Sequence, residues 1–186
     1  SEKPVNPPDP NLQRLLAAIQ THAHKLDANI CLVGSLARAG RGIVDADKPD
    51  LIEVISDAPP TAEGIDMLVV PEDLKFVMAR MTWTVRGDWY AGVYEGVIER
   101  SEPLQGWPVN IATLEDQCML MLAARDPDES KRLVQIISTG QVDTDLFLDF
   151  CWEHLGPYSM SDAEAAIADA EWSAMTAKYD GNVPVH

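Results

Sequence analysis

Ile30-Cys31-Leu32-Val33-Gly34-Ser35-Leu36-Ala37-Arg38 joins two kinds of local structure within a few residues. Residues 28–33 form a short, mostly apolar run, which predicts a buried strand. Gly34-Ser35 then marks a tight turn, and residues 36–39 begin a short helix that Gly40 and Gly42 stop. Glycine lets the backbone approach another group closely. Backbone N–H groups at such a turn, with a serine hydroxyl beside them, can hold phosphate oxygens. Arg38 and Arg41 follow at once, placed either to neutralise a phosphate or to pair with acids of the next loop.

Upstream, residues 1–10 carry four prolines and read as an extended arm. Asn11 can cap a helix reaching residue 26, in which Leu12, Leu15, Leu16 and Ile19 recur at helical spacing. Downstream lies an acidic loop, 45–50, containing Pro49, and then a strand over 51–55. Pro59, Pro60 and Gly64 mark a further loop, 65–70 a strand, and Pro71 the first turn of a helix over 71–81. Residues 83–86 and 90–99 read as strands around a Gly87-Asp88 turn, and 108–112 as another short strand. Beyond Thr113 the pattern is helical throughout, over 113–124, 128–138, 143–155 and 162–178, the last opened by a Ser161/Glu164 capping box. Strands mixed with helices, followed by helices alone, predict an α+β fold: a mixed or antiparallel sheet flanked by helices, with a C-terminal helical segment. The expected organisation is an arm over 1–10, an α+β core over 11–112, and a helical region over 113–186 packed on that core.

Composition narrows the function classes. The 186 residues hold thirty acids and fourteen bases, a net charge of −16. Such a chain lacks the basic face that non-specific nucleic-acid binding or an anionic membrane surface requires. Its apolar runs are too short to span a bilayer, and no basic n-region with an apolar stretch opens it. Cys31, Cys118 and Cys151 are odd in number, widely spaced and set among apolar residues, which reads as buried free thiols in a reducing cytoplasm rather than a disulfide framework. From Asp126 onward there are twelve acids and three bases, a balance of −9 over 61 residues. This acidity is either the solvated face of amphipathic helices or a surface for a basic protein partner.

Nine residues separate Ser35 from Asp45-Ala46-Asp47. Carboxylates at i and i+2 of an extended segment point to one side and can hold a divalent metal that bridges nucleotide phosphates. Lys48-Pro49 follows and places this pair in a loop. Asp50 and Glu53 on the next strand are three apart, on opposite faces, and Asp66 has no acid at i+2. Which of these acids serves the turn stays open in the sequence. Trp83, Trp89, Tyr90 and Tyr94 suit either base stacking or cross-strand packing.

An apolar strand, Gly34-Ser35, nine residues and then Asp45-x-Asp47 resembles the signature of the DNA polymerase β-type nucleotidyltransferase superfamily. Gly34-Ser35-Leu36-Ala37-Arg38 is similar to the Gly-Ser-x-Ala-Arg form of its small bacterial members, including those of abortive-infection and toxin–antitoxin type. Residues 108–116, with Asn110 in the place of the family's third acid, and residues 123–133 resemble later segments of that layout. The resemblance spans roughly residues 28–155 in patches. It implies a nucleotidyltransferase that moves a nucleoside monophosphate from a Mg-NTP to a hydroxyl. Gly34, Ser35 and Arg38 would bind the triphosphate, and Asp45 and Asp47 would be the catalytic acids holding Mg2+. Asn110 is a poor general base, which leaves open a nucleotidyltransferase-like protein without the chemistry, or an acidic α+β regulatory protein that engages a basic partner.

Overall fold

The computed structural model describes residues 7–43, 51–57, 70–79, 82–86 and 91–180. Asp45, Asp47, Asp50, Asp66, the Gly87-Asp88 turn and nearly all of the strand expected over 65–70 lie outside the described residues. The fold is α+β, in two compact units, Ser1–Thr113 and Leu114–His186.

The first unit holds a three-stranded mixed sheet. Helix α1 (Pro10–Lys25) starts one residue earlier than Asn11, because the Asp9 carboxylate caps it by accepting from Leu12 N at 3.0 Å. Its Leu15, Leu16 and Ile19 are fully buried, each contributing about 2 kcal/mol by area bookkeeping. Strand β1 (Ile30–Val33) runs antiparallel to β2 (Leu51–Ser56), and β2 runs parallel to β3 (Thr82–Arg86). Ile30 and Leu32 of β1, with Ile52 and Val54 of β2, join the α1 residues in one apolar core. Cys31, Val33, Glu53 and Ile55 have the opposite parity and point to the other face of the sheet.

Helix α2 (Gly34–Gly40) follows β1 without a linker. A 3-10 turn (Glu72–Leu74) and the single turn α3 (Lys75–Met78) occupy the stretch expected to be one helix over 71–81. Leu74 is buried there, and Val77 and Met78 pack against the core.

Helix α4 (Ala91–Arg100) corrects the strand expected over 90–99. Its valines and tyrosine favour strands intrinsically, but Val93, Tyr94, Gly96 and Val97 are buried while Glu95 and Glu99 stay exposed. That is a 3.6-residue period, and packing outweighs propensity. The strand expected over 108–112 reduces to isolated bridges at Ile111, parallel to Leu32 and antiparallel to Glu102. Pro108, with no N–H, shortens the ladder.

The second unit is helical: α5 (Leu114–Ala124), α6 (Pro127–Ser138), α7 (Thr144–Leu155) and α8 (Met160–Asp180). Asp126 caps α6, with Pro127 at its first position, and Asp143 caps α7 by accepting from Asp145 N and Leu146 N, both at 3.1 Å. Gly156, at φ +83°, ends α7. A 3-10 turn (Pro157–Ser159) then runs straight into α8, so Ser161 lies inside the helix instead of capping it. α6 packs on α8, and α5 packs on both α6 and α7. Phe147, Cys151, Leu133 and Ala163 lie in the buried interior. Cys31, Cys118 and Cys151 are buried free thiols, and no described helix is long and apolar enough to cross a membrane.

Candidate functional site

The turn at the end of β1 brings together Gly34, Ser35, Arg38 and Glu53. All four residues of β1 are buried, so the strand delivers the turn at a fixed place. Gly34 takes φ +81°, a conformation that side-chain-bearing residues rarely adopt. The antiparallel register sets Val33 opposite Glu53. The Glu53 carboxylate therefore folds over the glycine: a Cβ built on Gly34 would lie 2.7 Å from Glu53 Oε2. Glu53 is only 7% exposed. Its neighbours Leu51, Ile52, Val54 and Ile55 are apolar, so an acid here is held for a reason other than solubility.

One turn further along α2, Arg38 Nη2 donates to Ser35 Oγ at 3.1 Å. Arg38 is 3% exposed, an unusual depth for a guanidinium. The turn thus carries a serine hydroxyl, a buried cation and a buried carboxylate within one short stretch of two elements. Glu53 joins a site for which the sequence offered several acids. Its signal was a lone acid inside an apolar strand, and only the register shows that it meets Gly34.

Arg41 does not belong to this group. Its Nε and Nη2 donate to the carbonyls of Ala112 at 3.3 Å and Ile111 at 3.0 Å. Its Nη1 meets Glu102 Oε2 at 3.3 Å. It therefore staples the end of α2 to the 102–112 segment, which corrects the expectation that it faces a phosphate or the 45–47 loop. Nothing in the sequence marked those two carbonyls as its partners.

Asn110 is also elsewhere. Its carbonyl accepts from Leu32 N at 2.8 Å, and it lines a cavity of about 490 Å³ with Gln20, Asn29, Asp57, Glu95 and Glu99. That cavity lies at the start of β1, so about 10 Å of strand separates it from the turn. Asn29 N and Nδ2 donate to the two Asp57 oxygens at 2.8 and 2.7 Å. With three carboxylates in its lining the cavity repels a triphosphate. Tyr94 is buried on α4, which favours packing over base stacking, while Trp89 and Tyr90 lie outside the described residues.

Among the described residues no group of three His, Cys, Asp or Glu side chains stands together as a metal site. Of the described carboxylates, Glu53 is the one placed against the turn, and a single carboxylate does not by itself make a magnesium site. No protein-family model matches the chain, and no curated protein matches it significantly.

Proposed function

We propose that the chain is a nucleotidyltransferase-like protein whose Gly34-Ser35 turn receives the phosphates of a nucleoside triphosphate. The observation that carries this reading is the pairing of the positive-φ Gly34 with the buried Glu53 carboxylate from the adjacent strand. It puts an acid on the turn, where a cation such as Mg2+ would have to bridge it to a phosphate, because a carboxylate alone repels one. In its catalytic form, Asp45 and Asp47 would supply the carboxylates that hold Mg2+; the acceptor hydroxyl would give up its proton and bond to the α-phosphorus of the NTP as the α–β phosphoanhydride bond breaks and pyrophosphate leaves.

One observation favours a second reading, a nucleotidyltransferase-like protein without transfer chemistry. Arg38 is turned inward onto Ser35, so the cation and the hydroxyl that would meet a triphosphate are engaged within the fold.

A thermal-shift series with the four NTPs, with and without Mg2+, on wild type and Asp47→Ala tests both. Ligand that binds only the native state raises the melting temperature, by an amount that grows with concentration above Kd. The catalytic form predicts a Mg-dependent rise that Asp47→Ala abolishes. The second reading predicts a rise that Asp47→Ala leaves intact. No rise with any nucleotide at millimolar concentration removes the nucleotide reading altogether.

A further inference from the structure

Helix α8 has two faces. Ala163, Ala166 and Ala170 are buried along one of them. The opposite side carries Ser161, Ala165, Ala168, Trp172, Met175 and Tyr179, spaced four, three, four, three and four residues apart. That is the a/d spacing of a coiled-coil seam, with a at 165, 172 and 179 and d at 161, 168 and 175; Ser161 is polar, so the apolar part covers about two heptads, from Ala165 to Tyr179. The seam faces solvent. Trp172 is 64% exposed, Met175 43% and Tyr179 66%. Ser161, Ala165 and Ala168 are exposed as well. A tryptophan, a methionine and a tyrosine left in water along one line of a helix form an apolar surface that a monomer gains nothing by displaying.

The flanking positions decide what covers it. The e positions are Asp162, Asp169 and Thr176, and the g positions are Glu164, Glu171 and Lys178. Four of these six are acids, and both flanks of the seam are lined with them over the first two heptads. In a coiled coil the e and g residues of one helix meet those of its partner and set partner choice. A second copy of this helix would bring acid against acid, which is destabilising. A helix bearing Lys or Arg at e and g would form charge pairs on both sides of the apolar seam.

We propose that the outer face of α8 docks an amphipathic, basic helix of a partner protein, seating its a/d residues on Ala165, Ala168, Trp172, Met175 and Tyr179. The small alanines let the partner backbone come close at one end. The large residues supply the anchor area at the other, where tryptophan and tyrosine are the residue types that dominate interface energetics. This surface is independent of the Gly34 turn and stands whether or not that turn binds a nucleotide.

The test is isothermal titration of the full chain with two synthetic three-heptad helices. Both carry Leu at a and d; one carries Lys at e and g, the other Glu. The Lys helix is expected to bind and the Glu helix to bind at least about tenfold more weakly. Trp172→Ser with Tyr179→Ser should weaken the Lys helix by at least about tenfold. Changing all four flanking acids, Asp162→Lys, Glu164→Lys, Asp169→Lys and Glu171→Lys together, should reverse the preference between the two helices. Circular dichroism melts verify that these exposed substitutions leave the fold intact. Three results overturn the proposal: no binding of the Lys helix, equal binding of both helices, or binding that persists in the Ser variant. A wild-type dimer in sedimentation that Trp172→Ser dissociates also overturns it, by making the occupant a second copy of the chain.

Discussion

Gly34 adopts φ +81°, and a Cβ there would stand 2.7 Å from Glu53 Oε2. The two constraints add. An L-residue at this φ costs of order 1–3 kcal/mol, and the carboxylate must also move. Gly34→Ala is expected to destabilise the chain by about 2 kcal/mol in urea unfolding. The carboxylate contribution separates in a double-mutant cycle: Glu53→Ala should recover part of the loss in the Gly34→Ala background, because it clears the space and leaves only backbone strain. A strictly additive cycle would mean that the carboxylate contact carries no energy. The Gly-Ser turn was legible in the sequence, since an apolar strand followed by glycine has few other readings. The Glu53 contact was not, because it depends on which residue pairs with Val33, and register comes from the sheet as a whole. Arg41 was illegible for a related reason: backbone carbonyls have no sequence signature.

At the scale of elements, α7 holds a group whose titration reports on its packing. Cys151 lies in the middle of this helix, and burial pushes its thiol up from an ordinary value of 9.0 to about 12. The unfolded chain releases this proton near the ordinary value while the folded chain keeps it. Above that pH the native state therefore binds more protons than the unfolded state, and stability falls as pH rises. The contribution is fully present below pH 9 and is lost progressively towards about 12. Melting temperatures of wild type and Cys151→Ala between pH 8 and 11 check this: the wild type should fall more steeply, and parallel curves would contradict it. The same element scale shows where propensity misleads. Residues 91–100 carry valines, an isoleucine and a tyrosine, which suit strands. The arrangement of Val93, Tyr94 and Val97 against Glu95 and Glu99 suits only a helix, and burial follows the arrangement. The capping box at Ser161 failed because the preceding 3-10 turn already supplies the start of α8.

For the whole molecule, the order of elements made the α+β class legible, since strands end where the continuous helical pattern begins. The second unit's charge also has a structural sense, because its acids on α8 flank the apolar seam at regular spacing. At −16, the chain repels any anion at long range, so a triphosphate can bind only where local groups outweigh that field, and more readily as salt screens it. Nucleotide recognition at the first turn is the central claim, and an NMR titration tests it at the atoms concerned. With 15N-labelled full chain and Mg-ATP as the probe, the backbone amide signals of Gly34, Ser35 and Leu36 should shift and saturate. Signals from Asn29, Glu95 and Glu99, around the acidic cavity at the other end of β1, should stay in place. Unmoved turn amides at millimolar Mg-ATP, or shifts confined to other regions, would contradict the account.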